Sequence, residues 1–177
     1  MLTCQRRIVI GRRRWLAISG GAMNQRSVVG LIGWIAVSMV AGLIGSQFMP
    51  GEWYAGLTKP SWNPPSSVFA PVWSTLYVLM GIAAWLVWRP AGFAGARGAL
   101  RLFFLQLILN ALWSYLFFGL HRPDLALIEI IVLWLTILAT TIAFWRHSVP
   151  AGALLAPYLA WVGFATALNF TLWRLNS

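Results

Sequence analysis

Five long apolar runs dominate the chain: Val28 to Met49, Val68 to Trp88, Leu102 to Leu120, Leu125 to Trp145 and Val149 to Trp173. Each is long enough to cross about 30 Å of hydrocarbon at about 1.5 Å per residue. Four of them contain no charged residue, and the fourth contains only Glu129, about one turn inside its start. Polar and helix-breaking residues separate the runs: Pro50-Gly51, Arg89-Pro90, His121-Arg122-Pro123 and His147-Ser148-Val149-Pro150. These punctuation marks end helices, and Pro123 also suits the first turn of the next one. The pattern predicts an all-α integral membrane protein, a bundle of five transmembrane helices. The tight links after the third and fourth runs predict antiparallel neighbours with sequential contacts. The long stretches outside the spans are 1–27 and 50–67, which divides the chain into a basic N-terminal tail (1–27) and a membrane domain (28–174).

Composition agrees with this reading. Of 177 residues, 60% are hydrophobic and 9% charged, whereas a soluble domain carries about a quarter charged residues. The net charge of +10 does not indicate nucleic acid, because no basic face interleaved with stacking aromatics accompanies it. It describes topology instead. Arg6, Arg7, Arg12, Arg13, Arg14, Arg26, Arg89, Arg97, Arg101 and Arg146 fall on one side of the five spans, and Lys59, Arg122 and Arg174 on the other. Positive loops stay in the cytoplasm. In a bacterial plasma membrane the N-terminus is therefore cytoplasmic, with the first loop and the C-terminus outside. The tail has three readings: a basic segment resting on anionic lipid, a weak twin-arginine signal at Arg12-Arg13-Arg14, or untranslated sequence ahead of a start at Met23.

Several chemistries are excluded. Cys4 is the only cysteine, so neither an intrachain disulfide nor a thiolate cluster can form. His121 and His147 lie at opposite ends of the bundle, as solvated loop residues that cannot ligate one metal together, and no metal site is expected. Haem would be held by stacking instead of paired axial histidines. The chain has no phosphate-binding glycine loop, nucleophile elbow or HExxH motif. Glu129 is read either as a proton relay or as a locally bonded carboxyl near the interface. Ala41 with Gly45, and Gly163 with Ala167, offer small-residue contacts for packing or for a homodimer.

Aromatic and polar residues recur at helical spacing. Trp73 and Tyr77 are one turn apart. Gln106, Asn110, Trp113, Ser114 and Phe117 form a stripe expected to face inward, because amides facing lipid are costly. Trp161, Ala165 and Asn169 form another, with Ala165 leaving room beside the indole. Such stripes serve interhelical packing or a flat hydrophobic ligand, which the indoles would stack on while Asn110 or an indole N–H met a polar edge.

The first loop reads Gly51-Glu52-Trp53-Tyr54 through Lys59-Pro60-Ser61-Trp62-Asn63-Pro64-Pro65 to Pro71-Val72-Trp73. Its prolines fix the backbone, so the loop is expected to be ordered at little entropic cost. Trp53, Tyr54 and Trp62 can then anchor at the interface or cover the bundle as a lid. This segment, together with Asn110 and Trp113, Pro157-Tyr158-Leu159-Ala160-Trp161, and Leu168-Asn169-Phe170 through Trp173-Arg174, resembles the tryptophan-rich sensory protein family. Its mitochondrial members are called translocator protein or peripheral-type benzodiazepine receptor. The landmarks occur in the family's order over residues 28–174.

The resemblance implies a pocket between the helices lined by Trp73, Tyr77, Asn110, Trp113, Trp161 and Ala165 and capped by Trp53 and Tyr54. It also implies ligands: porphyrins and haem, isoquinoline carboxamides and benzodiazepines, and sterols in mitochondrial members. No cofactor is obligatory, and porphyrin or haem enters as ligand. Trp73 and Trp161 match positions linked to light-dependent breakdown of protoporphyrin in some bacterial relatives. The sterol motif fails here, with Phe170 and Thr171 where mitochondrial relatives carry tyrosines. Three functions are implied: a tetrapyrrole-binding receptor or sensor, a tetrapyrrole or sterol transporter, and a slow photo-oxidative enzyme.

Overall fold

A computed structural model describes residues 25–48 and 50–177; most of the basic tail, Met23 and Met49 lie outside the described residues. The chain folds into α1 (Gln25–Gly45), a short α2 (Glu52–Gly56), α3 (Ser66–Gly95), α4 (Arg97–Ser114) with a π-helical turn at its end (Tyr115–Gly119), α5 (Pro123–His147) and α6 (Val149–Leu175). Five of these helices are long and apolar enough to cross a membrane. Large apolar side chains such as Val29, Leu43, Ile108, Ile128, Leu135 and Phe170 are exposed on their outer faces, as a bundle solvated by lipid requires.

The helices extend beyond most of the apolar runs because a helix continues into the headgroup region as long as its backbone bonds can be made. Three departures from the sequence pattern matter. The first loop is partly helical, since α2 carries Trp53 and Tyr54. Arg89-Pro90 does not end the second span: the helix runs through Pro90 and breaks at Gly92, whose φ of 62° only glycine adopts without strain. The third span ends in a wide turn, with the Leu120 amide bonding to the Tyr115 carbonyl at 2.8 Å.

Sequential packing holds for α4 with α5 and for α5 with α6, and is sparse between α3 and α4. α3 packs instead between α1 and α6, and α1 also contacts α4. The helices therefore close a ring in the order α1, α3, α6, α5, α4. Close approach of α1 to α3 depends on glycine. A Cβ on Gly81 would lie 2.5 Å from the Ile35 Cα, and one on Gly42 would run into the Tyr77 ring. Three of the small residues expected to mediate packing or dimerisation have contacts within the chain: Ala41 is buried, a Cβ on Gly45 would meet Ser114 Oγ at 3.1 Å, and one on Gly163 would meet Trp134 Nε1 at 3.2 Å, whereas Ala167 is exposed.

At the end where α1 begins, Trp34 is buried among Trp88, Phe93, Phe103 and Phe104. The Trp85 indole donates to the Ser27 carbonyl at 2.9 Å while Arg89 lies over its ring. This end is a packed aromatic plug. The chemistry lies toward the other end.

Candidate ligand site beneath the tryptophan-rich loop

Inside a bilayer a polar side chain must find its partners within the protein, and here the inward polar residues of three helices meet at the centre of the ring. Tyr77 of α3 donates its hydroxyl to Asn110 Oδ1 at 2.6 Å. Asn110 Nδ2 donates to the Tyr158 hydroxyl of α6 at 3.3 Å, and that hydroxyl donates to Gln106 Oε1 at 2.9 Å. Gln106 Nε2 ends the thread on Met80 Sδ at 3.8 Å. All five residues are buried. Trp73 lies against this thread, stacked on Tyr77 at 5.6 Å and edge-on to Tyr158 at 6.2 Å.

A second layer lies nearer the loop. Trp113 Nε1 donates to Asn169 Oδ1 at 3.0 Å, and Asn169 Nδ2 to the Pro123 carbonyl at 2.9 Å. Trp113 also stacks on Phe117 at 5.1 Å. The π-helical turn brings Phe117 and Phe118 to the roof of the bundle, where Trp53 meets Phe117 edge-on at 5.8 Å and Tyr54 meets Phe118 at 5.5 Å. Such wide turns occur at functional sites.

The loop closes over this layer as a fixed lid. The Tyr54 hydroxyl donates to Asn63 Oδ1 at 3.3 Å, Lys59 Nζ sits 4.8 Å from the Tyr54 ring centre, and Trp62 reaches Phe164 of α6 at 5.7 Å. Burial raises the Tyr54 phenol above its ordinary value of 10.0, against the smaller lowering by Asn63. Trp53 also stacks on His121 at 4.4 Å, and His121 holds a left-handed backbone at φ 54°. From the C-terminus, Asn176 clamps the loop: its Oδ1 accepts from the Thr58 amide at 2.8 Å and its Nδ2 donates to the Thr58 carbonyl at 3.0 Å.

The structure thus brings Trp73, Tyr77 and Asn110 together, places Trp113 in the layer above, and sets Trp53 and Tyr54 over that layer. Ala165 packs against the core beside them. Trp161 also packs against the core, at its edge. Residues 161, 165 and 169 drift about 80° around a helix of 3.6 residues per turn, so Asn169 is buried while Trp161 turns to the outer seam of α3 and α6. There it packs against Phe69 and Phe164 and lines an open groove of about 570 Å³ with Pro71, Thr75, Pro157 and Ala160. A proline on each wall removes a helical hydrogen bond at the seam.

Tyr158, a landmark residue in the sequence, lies seven residues before Ala165 on the same face of α6, a spacing that points to its place in the thread. The roles of His121 and Asn176 had no periodic signal, since both lie outside the helices. His121 and His147 are separated by the length of α5, roughly 40 Å at about 1.5 Å per residue, and no cluster of three metal-ligating side chains occurs among the described residues.

A five-helix bundle with an aromatic and amide interior under an ordered aromatic lid defines an integral, multi-pass membrane protein. The model of the TspO/MBR family matches residues 34–174. Protein CrtK of Rhodobacter capsulatus is 44% identical over 140 residues, covering 77% of this chain and 86% of the relative. The tryptophan-rich protein TspO of Chlorobaculum tepidum is 44% identical, covering 80% and 92%, and the human translocator protein 44% identical, covering 75% and 82%. The chain belongs to the TspO/MBR family.

Proposed function

We propose that this protein is a membrane receptor or sensor that binds tetrapyrroles such as protoporphyrin and haem, and similar flat hydrophobic molecules, between its helices. Family membership supports the sensor or receptor type of role. One observation carries the ligand class: stacked indole and phenol rings, Trp73 on Tyr77, border a thread of amides and hydroxyls under a lid that is itself aromatic. Ring faces suit a flat macrocycle, and side-chain amides suit its polar edge. By the asymmetry of basic residues, the lid and the C-terminus face away from the cytoplasm.

The groove beside Trp161 favours a second element of this reading, lateral entry from the lipid between α3 and α6. In lipid-reconstituted protein, protoporphyrin should bind with quenching of tryptophan fluorescence and a shift of its main absorption band. Trp73→Phe combined with Trp161→Phe should weaken binding at least tenfold as read by the absorption shift. Unchanged affinity in the double variant would refute the assignment of the site.

A further inference from the structure

The thread and the layer above it account for the inward polar groups of α4 and α6, but one buried group on α5 has no part in them. Glu129 is 8% exposed, and neither of its carboxyl oxygens has a hydrogen-bond partner, whereas Gln106, Asn110, Thr140 and Asn169 are all bonded. Among the described residues the only salt bridge joins Arg122 to Asp124. Burying an unpartnered carboxyl is a costly placement, more so inside a bilayer.

Its position follows from the hydrogen bonds that fix the register of α5 against α6. Asn169 Nδ2 donates to the Pro123 carbonyl near one end, and Trp134 Nε1 donates to the Leu159 carbonyl at 3.1 Å further along. Antiparallel helices of equal rise then set Glu129 opposite the turn from Gly163 to Ala165. On α4 the same level falls between Asn110, bonded to Tyr158, and Trp113, bonded to Asn169. Glu129 therefore stands between the polar thread and the layer beneath the lid, level with the small side chain of Ala165.

We propose that Glu129 is the hydrogen-bond acceptor that anchors an N–H or O–H donor of a flat aromatic ligand seated between α4, α5 and α6. The inference rests on the reading of the bundle as a ligand receptor and adds the polarity of the ligand's inner edge. A donor edge points inward to Glu129. Any carboxylates point to the lid end, where Lys59, Arg122 and Arg174 lie.

The test is a pair of ligands with one ring system: the lactam phenanthridin-6(5H)-one and its N-methyl derivative, which lacks the N–H. Both are titrated by tryptophan quenching against the full-length protein in lipid, with protoporphyrin in parallel. The wild type should prefer the N–H form at least tenfold, since a site built around a hydrogen bond discriminates strongly against a ligand that lacks it. Glu129→Leu should bring the ratio close to one. Glu129→Gln, whose amide oxygen still accepts, should keep most of the preference.

A ratio near one in the wild type, a ratio undiminished in Glu129→Leu, or no binding of either compound overturns the proposal. Should Glu129→Leu fail to fold, the wild-type ratio and that of Glu129→Gln decide. If protoporphyrin binds while the pair shows no preference, the anchor is wrong and the tetrapyrrole reading stands. If the pair discriminates through Glu129 while protoporphyrin does not bind, the reverse holds.

Discussion

Asn110 accepts from Tyr77 and donates to Tyr158, so Asn110→Ala strands the buried Tyr77 hydroxyl and leaves that of Tyr158 only its bond to Gln106, whereas Tyr77→Phe removes one hydroxyl and leaves Asn110 its second partner. Orphaned buried groups cost about 1–3 kcal/mol, but interhelical hydrogen bonds in membranes average only about 0.6 kcal/mol. We expect Asn110→Ala to destabilise the bundle by about 1–2 kcal/mol and Tyr77→Phe by less than about 1 kcal/mol, measured by reversible denaturation in mixed micelles. Gly42 supplies a steric counterpart. A Cβ there would run into the Tyr77 ring, whereas one on Gly33 meets nothing within 4 Å. Gly42→Ala should cost about 1–3 kcal/mol by overpacking and weaken ligand binding by displacing Tyr77, while Gly33→Ala should do neither.

The lid is the element whose behaviour depends on pH. Burial holds the Tyr54 phenol above 10.0, so the folded state keeps that proton more tightly than the unfolded chain does. The contribution of Tyr54 is present in full below pH 10 and is lost as pH rises through the raised value. Thermal midpoints should fall above about pH 10, and Tyr54→Phe should remove part of that fall. An identical alkaline profile in the variant would show that Tyr54 does not sense its surroundings.

The elements were legible where the chain obeys one rule over a long distance. The five spans followed from apolar length, and the stripe from Gln106 to Phe117 faces inward because amides in lipid have nowhere else to go. What periodicity could not show was local or long-range. α2 is five residues long, the break at Gly92 depends on a single backbone angle, and the wide turn at Tyr115–Gly119 shifts register without any change in composition. Asn176 meets Thr58 across most of the sequence. Trp161 packs against the core as Ala165 does, but it also lines the groove between α3 and α6, a second contact that its spacing from Ala165 did not indicate.

For the molecule as a whole, the asymmetry of arginines makes a directional claim that labelling can check. In a Cys4→Ser background, Ser61→Cys on the lid should react with an impermeant maleimide from outside intact bacterial cells, and Gly98→Cys only from the cytoplasmic side. The reverse pattern would invert the topology and put the lid inside the cell.

The ring order has a consequence for how the protein is made. α3 enters the membrane before α4 and α5, yet one of its two principal neighbours is α6, which is synthesised after both. Until α6 arrives, Asn110 has Tyr77 but lacks Tyr158, and Trp73 lacks one of its walls. At roughly 5–20 residues per second, the nascent chain spends on the order of ten seconds in the bilayer with this polar face of α3 and α4 open to lipid and to the insertion machinery. A chain stalled before α6 presents an unfinished polar seam, in which Asn110 has one of its two tyrosine partners.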